Sequence, residues 1–419
     1  MTRVTRRAFG VFVAAVLATA SLWTTNSGLA APGSQLNNLG LRTIPFTVIN
    51  NSGRRGHLYI YVVGEVPSAG GKSYYLSKGN GDLTIVPMAA APGVSLALDL
   101  GVATTTTIQL PQLQAGRIYL SIAKPLLVTA TAPGAPPSAP PGWVPTDPNF
   151  NTYFDFAEFT WLDDSPPSTF ASTWGGNVTQ VDMFGFPLYL VLRGKKDDGT
   201  VIVRRAGFTG DTVRSQIFQQ LWQAGNPWRK LIMGDTRRSQ LRIVAPYHGI
   251  EMGVFPANFL DAYISQVWQT YTSQALVGQT QDRIYSGTVV NNELVFNQTG
   301  GPGADPPFKF KKPTTKDAFE NSMPPIPNPL TPEGDRARAI GALLSGGMMR
   351  TTLVQLSNLK DCRTQFFYVN APINVYAKAF HQFGVGHLAY SFGFDDTCEQ
   401  SSFIQIHDPE ALSITIGKF

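Results

Sequence analysis

The sequence predicts a mainly β protein. Only 15% of its 419 residues are charged, 43% are hydrophobic, and 40 Gly and 31 Pro supply many turns. Low charge together with abundant turn formers favours strands over helices. Short β-rich runs recur along most of the chain, whereas helix-like spacing is limited to a few segments. The length is sufficient for one large domain or two modest ones.

The segment that follows the N-terminal leader is predicted to be all-β. Its first two β-rich runs, 43–50 and 57–63, flank a link rich in Asn, Ser and Gly, which is typical of a hairpin-like opening. Further strands are predicted at 83–87, 104–110 and 117–128. A Pro- and Ala-rich stretch, 129–148, comes next and has the composition of an interdomain linker.

The middle of the chain adds helices. In 211–224 an apolar residue recurs every four positions from Val213 to Leu221, behind Asp211, a candidate N-cap. The same spacing predicts a helix at 259–271. Two further helices are predicted at 335–344 and 374–383.

A hairpin, a loop and three strands complete the prediction. Asn291 and Asn292 indicate a hairpin turn between two β-rich runs. The stretch 299–334 is rich in Pro, Gly and Lys without periodicity, so we expect a long surface loop. Strands at 388–394, 402–407 and 412–416 end the chain.

Residues 1–31 are predicted to be a signal peptide. A basic start is followed by an apolar core from about Phe9 to Trp23 and then by small residues. This core is too short for a membrane span of about 20 residues. Arg6 and Arg7 resemble a twin-arginine signal, but ordinary secretory leaders also contain such pairs, so the export route stays open. We expect a secreted, extracellular protein without a membrane segment after leader removal.

The two cysteines fit an exported protein. Cys362 and Cys398 are the only ones in the chain. An oxidising compartment favours a structural disulfide over a catalytic or metal-binding pair. One bond between them would restrain the C-terminal segment.

Charge and motifs exclude several functions. The formal charge is +5, and without the three arginines of the acid-free leader it falls to +2. A near-neutral protein has no broad basic face, which argues against a nucleic-acid partner. The five histidines lack metal-ligand spacing, and no serine-hydrolase, P-loop or dinucleotide fingerprint is present. We therefore expect no metal and no organic cofactor.

Two acids in strand-like runs, Glu158 and Asp182, carry the first sign of chemistry. Alternation places Glu158 on the same strand face as Phe154 and Phe156, where loss of hydration raises a carboxyl pKa and keeps a proton available. Asp182 shares its face with Gln180, in more polar surroundings that keep a carboxyl ionised. A protonated and an ionised carboxyl are the pair that a glycosidase needs.

Other interpretations of these acids stay open. Either acid alone is also consistent with a half-exposed strand residue paired to a surface Lys or Arg. Asp155 is the nearest competitor of Glu158, but alternation points it to the opposite face. The sequence does not select the stereochemistry, because a carboxyl separation of about 6.5 to 9.5 Å implies inversion and one of about 5 to 5.5 Å implies retention.

The segments around the two acids are PTDPNFNTYFDFAEFT (145–160) and NVTQVDMF (177–184). Further blocks are IPFTVINNSGRRGHLYIY (44–61), GRIYLS (116–121), PYHGIEMG (246–253), DAYISQVWQTYT (261–272), RTTL (350–353), NVYAKAFH (374–381) and FGFDD (392–396). In the same order, these blocks resemble the bacterial β-1,3-glucanases of glycoside hydrolase family 64, which have thaumatin-like architecture and release laminaripentaose. The resemblance therefore extends from about residue 44 to the C-terminus.

The resemblance implies a thaumatin-like fold over a catalytic region at 42–419. A small β-barrel lobe would comprise about 42–130 with the C-terminal strands, about 385–419. A larger mixed β/α lobe would comprise about 145–384, and the two lobes would flank an open groove. In this family the position of the Pro-rich stretch is a loop inside one enzyme, which disfavours the linker interpretation.

The resemblance also implies an activity. We expect a monomeric endo-β-1,3-glucanase that hydrolyses laminarin- or curdlan-type β-1,3-glucan by inverting single displacement, with Glu158 as general acid and Asp182 as general base. The alternative is a non-catalytic thaumatin-like protein that binds β-glucan or acts against fungi. Such a protein would need the groove but no protonated acid.

Candidate sugar-binding residues surround the acids. Trp174 is followed by two glycines and is a candidate for stacking on a pyranose, with burial in the core as the alternative. The remaining candidates carry groups that hydrogen-bond hydroxyls, namely Thr160, Asp163, Thr179 and Gln180. His381 is expected to be a packing residue.

Overall fold

The computed structural model describes residues 39–79, 82–163, 172–196, 198–234, 240–321 and 331–419. The predicted signal peptide, residues 1–31, lies outside these ranges. Within them, no helix combines the length and the apolar character that crossing a membrane requires.

Strands dominate the described part of the chain. They are β1 (Thr43–Asn50), β2 (Leu58–Glu65), β3 (Ser73–Gly79), β4 (Asp82–Pro87), β5 (Ala91–Ser95), β6 (Leu98–Asp99), β7 (Thr105–Pro111), β8 (Gln114–Ile122), β9 (Leu127–Ala130), β10 (Tyr153–Asp163), β11 (Ser172–Val178), β12 (Met183–Phe184), β13 (Leu188–Lys195), β14 (Val201–Gly207), β15 (Ile232–Met233), β16 (Arg242–Val244), β17 (Leu276–Gln279), β18 (Ile284–Val290), β19 (Glu293–Gly300), β20 (Phe308–Lys311), β21 (Ile404–His407) and β22 (Pro409–Ile416). The α-helices are α1 (Val213–Gln223), α2 (Pro246–Glu251), α3 (Asp261–Thr270), α4 (Thr315–Glu320), α5 (Pro332–Met349) and α6 (Val375–Phe383). The predicted mainly β class is confirmed.

Two large sheets share one core. A five-stranded sheet runs β14-β13-β22-β1-β7, and a second sheet runs β21-β11-β10-β8-β2-β3-β4 with β6 paired to β2. Strand alternation sends every second side chain inward, so Phe46 of β1, Leu190 of β13 and Phe159 of β10 lie in the same buried cluster. Strand β10 is thereby fixed between β8 and β11 in the middle of the second sheet.

The other face of the second sheet carries a separate apolar cluster. Tyr61, Tyr119 and Phe156 occupy one register row across β2, β8 and β10, and their rings lie 5.2 to 5.8 Å apart. Val128 and Ala130 of β9 belong to this cluster as well, so the β5–β9 ribbon covers this part of the face.

The C-terminal strand returns to the N-terminal one. Strand β22 lies between β1 and β13 and runs parallel to β1. However, β10, β11, β13 and β14, which the sequence assigned to the larger lobe, pair in the same two sheets as strands from 42–130. The interval between residues 130 and 145 is therefore not a boundary between sheets. The division into two lobes stays a prediction.

The Pro-rich stretch and the two residues after it are bonded to β9 and β16. The buried guanidinium of Arg242 donates from Nη1 to Gly142 O at 2.7 Å and from Nη2 to Phe150 O at 2.9 Å. The Asn149 side chain pairs with the backbone N–H and C=O of Leu127, each at 2.8 Å. These contacts favour the loop interpretation over the linker.

The helical predictions are confirmed with different ends. Helix α1 has Thr212 rather than Asp211 at its N-cap and no side-chain cap, so the Asp211 prediction is wrong. Helix α5 is longer than predicted. Asn291 and Asn292 both have positive φ and form the predicted turn between β18 and β19.

Two loop and strand predictions are wrong. The expected loop at 299–334 contains β20 and α4, and a capping box of Thr314 with Asp317 starts α4 despite the surrounding prolines. The segment 388–394 is not a strand, because the N–H of Ser391 bonds the Asp395 carboxylate at 2.9 Å instead of a neighbouring strand. Cys362 and Cys398 form a disulfide.

Candidate active site

Glu158 lies near the middle of β10 on the face predicted from alternation. Its register neighbours are Arg117 on β8 and Asn177 on β11. The preceding aromatic of this face, Phe156, belongs to the apolar cluster under the β5–β9 ribbon. The Glu158 side chain retains 22% exposure, so it is enclosed by protein yet reachable from solvent.

Arg117 is the direct partner of Glu158. Its Nε lies 3.1 Å and its Nη2 3.0 Å from Glu158 Oε1, and Nη1 donates to the Tyr119 hydroxyl at 3.2 Å. The sequence left open a pairing of Glu158 with a surface cation. Arg117, however, is itself only 22% exposed, so the pair lies within the site.

The pKa of Glu158 is raised above its ordinary value. Burial is the largest cause, and the negative charge of Asp182 adds to it, while the charge and hydrogen bonds of Arg117 oppose both. A carboxyl with a raised pKa keeps its proton at a pH where an exposed glutamate has lost it.

Asp182 lies in a bend just before β12 and not inside a strand, which corrects the sequence prediction. Its carbonyl accepts from the Ala245 N–H at 2.9 Å, and β12 pairs with β16. Because β16 leads directly into α2, this pairing places Tyr247 and His248 against the Asp182 carboxylate.

The pKa of Asp182 is lowered. Burial alone would raise it, but Tyr247 and His248, together with the positive charge of Arg117, outweigh burial. The Tyr247 hydroxyl donates to Oδ1 at 2.5 Å. His248 Nε2 lies 3.6 Å from the same oxygen, which is too long for a direct hydrogen bond.

The two acids therefore belong to one site with opposite pKa shifts. The charge of Asp182 raises the pKa of Glu158, and Arg117 lowers the pKa of both. Their side chains are 22% and 20% exposed, respectively. Asp155 lies on the other face of β10, where the N–H groups of Gly185 and Phe186 bond it and burial raises its pKa to about 7.

The predicted sugar-binding residues are only partly placed at this site. Thr160 is partly exposed on the Glu158 face, and its hydroxyl accepts from the Ala115 N–H at 3.1 Å. Asp163 ends β10, exposed, with Gln112 Nε2 at 3.0 Å and Arg42 Nε at 3.4 Å from Oδ1.

Trp174 is a core residue, so its predicted exposure is wrong. It is 1% exposed, and its ring stacks on Phe159 with centroids 5.9 Å apart. The reason is register: Trp174 pairs with Trp161, whose side chain also points into the core between the sheets. The neighbouring glycines do not open a path to solvent.

Thr179 and Gln180 are buried as well. The Thr179 hydroxyl accepts from the Val181 N–H at 3.2 Å. Gln180 is 1% exposed, because its backbone N–H bonds Tyr390 O at 2.7 Å and its carbonyl accepts from the Tyr376 hydroxyl at 2.5 Å. Direct contact with sugar stays a prediction for both residues, and their burial counts against it.

Three site residues had no role in the sequence interpretation. Arg117, Tyr247 and His248 lie in the blocks GRIYLS and PYHGIEMG, which carried only the resemblance. Arg117 meets Glu158 through strand register, and the other two meet Asp182 through the β12–β16 pairing. Neither contact has a sequence spacing that reveals it.

A carboxyl with a raised pKa beside one with a lowered pKa, on a mainly β fold, is the arrangement that a glycoside hydrolase requires. The family model of the β-1,3-glucanases of glycoside hydrolase family 64 matches residues 42–416. The chain belongs to this family.

Known proteins agree with this assignment. A glucan endo-1,3-β-glucosidase of Cellulosimicrobium cellulans is 29% identical over 427 residues, which cover 99% of this chain and 71% of the relative. The crystal structure of a laminaripentaose-producing β-1,3-glucanase in complex with laminaritetraose is 28% identical, has a TM-score of 0.76, and is matched over 99% of its length by 90% of this chain. A β-1,3-glucanase domain from Clostridium beijerinckii, 22% identical with a TM-score of 0.70 over 90% of this chain and 98% of its own, supports the fold.

Proposed function

We propose that the protein is an endo-β-1,3-glucanase that cleaves its polymer by inverting single displacement. Glu158 is the general acid and Asp182 the general base. The observation that carries the proposal is the opposite shift of two pKa values at one site, raised for Glu158 and lowered for Asp182. This is the division of labour between the two carboxyls of a glycosidase. Inversion is the part of the proposal that rests on the family resemblance.

The reaction breaks one bond and forms one. Asp182 takes a proton from a water molecule while the water oxygen bonds the anomeric carbon. The bond from that carbon to the glycosidic oxygen breaks, and the leaving oxygen receives the proton of Glu158. The product has the opposite anomeric configuration to the β-linked substrate.

Arg117 assists the acid in two ways. Its two contacts with Glu158 Oε1 fix the carboxyl on the strand face. When Glu158 loses its proton to the leaving oxygen, the guanidinium stabilises the new carboxylate. Burial holds the proton before the reaction, and Arg117 prevents this burial from making its release too costly.

The substrate class follows from the relatives. The matched structure is that of a laminaripentaose-producing β-1,3-glucanase with laminaritetraose bound. It supports laminarin- or curdlan-type β-1,3-glucan as the substrate and oligosaccharides of similar length as the product. We propose that the acids lie on the floor of an open groove between thaumatin-like lobes, since a long polymer needs access along its length. The predicted leader supports secretion, and we propose that the enzyme is a monomer.

Product analysis on laminarin, with anomeric detection by NMR, tests the proposal. We expect reducing sugar to appear and the first product to be the α-anomer. Absence of sugar release from both laminarin and curdlan would contradict the activity. An initial β-anomer would leave the activity intact but replace single displacement with a covalent intermediate on Asp182.

A further inference from the structure

His248 differs from an ordinary buried histidine in having one ring nitrogen engaged and one free to act. The side chain is 6% exposed. Its Nδ1 lies 2.9 Å from Glu251 Oε2, whereas its Nε2 has no hydrogen-bond partner among the described residues. An unpartnered buried polar atom is uncommon and points to a ligand or water at that position.

The surroundings of the ring fix which nitrogen carries the hydrogen. Burial would raise the pKa of Glu251, but the bonds from His248 and Lys316 lower it, so Glu251 is an ionised acceptor. Lys316 Nζ lies 3.3 Å from the other Glu251 oxygen. Nδ1 is therefore the donor to Glu251, and in the neutral form of the ring Nε2 is an acceptor.

Stacking and the Glu251 contact hold the ring beside Asp182. Trp143, delivered by the Pro-rich stretch, stacks on it with centroids 3.5 Å apart and an interplanar angle of 17°. Nε2 is thus held 3.6 Å from Asp182 Oδ1. In the neutral form of the ring, two acceptors face each other at this separation, and a water molecule can donate one hydrogen to each.

We propose that His248 and Asp182 together orient the hydrolytic water, an inference that rests on the proposed function. One hydrogen of the water bonds Asp182 and the other bonds His248 Nε2. With both hydrogens directed at the enzyme, a lone pair of the oxygen faces the anomeric carbon. Asp182 accepts the proton in the reaction, and the hydrogen on His248 stays with the new hydroxyl of the product.

The substitution His248→Phe tests this role while keeping a flat ring against Trp143. We expect kcat on laminarin to fall about 10² to 10³-fold, within the range for loss of a positioned acid–base contact, with KM and binding to insoluble glucan unchanged. His248→Gln, which restores an acceptor near the Nε2 position, should recover at least tenfold of that loss. His57→Gln, at an exposed histidine paired with Asp99, is the matched control and should behave as wild type.

Several outcomes would overturn the inference without touching the proposed function. One is an unchanged kcat in His248→Phe, and another is a loss that glutamine does not reverse although the variant remains folded. A third is full recovery of the rate at higher pH, which would mean that His248 acts only as a positive charge on Asp182. An inactive wild-type enzyme would instead refute the proposed function itself.

Discussion

Asp182 and Asp395 are aspartates with similar neighbours and different purposes. Both have a histidine and an arginine nearby, and in both the pKa is lowered although burial alone would raise it. Asp395 is completely buried, and His381 Nε2 and Arg350 Nη2 bond it directly at 3.0 and 2.9 Å. Asp182 is 20% exposed, and His248 Nε2 lies 3.6 Å from its Oδ1.

The two histidines differ in how many of their ring nitrogens are hydrogen-bonded. His381 uses both nitrogens, because Nδ1 also bonds His387 O at 3.0 Å. His248 uses one. A histidine with both nitrogens bonded to protein groups serves the fold, whereas one with a free nitrogen beside a partly exposed carboxylate can bind a substrate or water. A lowered pKa alone does not distinguish the two, since ion pairs of both kinds produce it.

The largest effect is expected from removing either acid of the candidate active site, Glu158 or Asp182. Glu158→Gln and Asp182→Asn should each lower kcat on laminarin about 10³-fold or more, because the proton donor or acceptor is lost while the side-chain shape stays. Azide should restore turnover only in Asp182→Asn, since that variant still has its acid. Product formation followed by chromatography measures both effects.

The matched control for these variants is binding. Both should still bind insoluble β-1,3-glucan and remain folded at the assay temperature, because each amide keeps the shape of the acid that it replaces. If Glu158→Gln retained more than a tenth of the wild-type kcat, Glu158 would not be the acid, and the non-catalytic interpretation of this strand face would regain support.

A substitution in the buried network of Asp395, His381 and Arg350 should instead lower the free energy of unfolding. Asp395→Asn leaves the buried Arg350 without its counter-charge, and breaking a buried pair in this way costs about 3 to 5 kcal/mol. Urea unfolding should show this loss in the free energy of unfolding. Asp99→Asn, in an exposed pair with His57, should cost less than about 1 kcal/mol. Activity per folded molecule should be unchanged in both, and a selective loss of kcat in Asp395→Asn would break the comparison.

The sequence predicted the parts of the site that depend on local pattern. Period-two alternation on β10 separated Glu158 from Asp155 correctly, because strand geometry needs no knowledge of the partner strands. The helices α1 and α3 followed from four-residue spacing in the same way. The turn at Asn291 and Asn292 was visible because few residues adopt positive φ readily.

What the sequence could not predict depends on which elements meet. Alternation separates the two faces of a strand but does not say which face is buried. Trp174 faces the core because its register partner is Trp161. The sequence prediction places Asp182 in a strand, but β12 is only two residues long and begins after Asp182. So short a strand has no periodicity that would mark where it begins. The contacts of Arg117 and His248 with the acids arise from long-range pairing.

The smallest effect is expected from removing the positive charge of Arg117, which should shift the pH dependence of activity. Arg117 lowers the pKa of both acids. Activity needs Asp182 ionised, so it rises as pH passes the Asp182 pKa, and it needs Glu158 protonated, so it falls as pH passes the Glu158 pKa. In Arg117→Met both pKa values rise, and both limbs of the kcat/KM profile should therefore move to higher pH.

Arg117→Lys keeps a positive charge and is the matched control, so its limbs should stay close to those of wild type. The maximum rate of Arg117→Met should fall modestly, because Glu158 then becomes a weaker acid and its carboxylate lacks a counter-charge. Movement of the basic limb alone would show that Arg117 acts on Glu158 but not on Asp182. In that case the two carboxyls would be two separate ion pairs, and the contrast with Asp395 would rest on His248 alone.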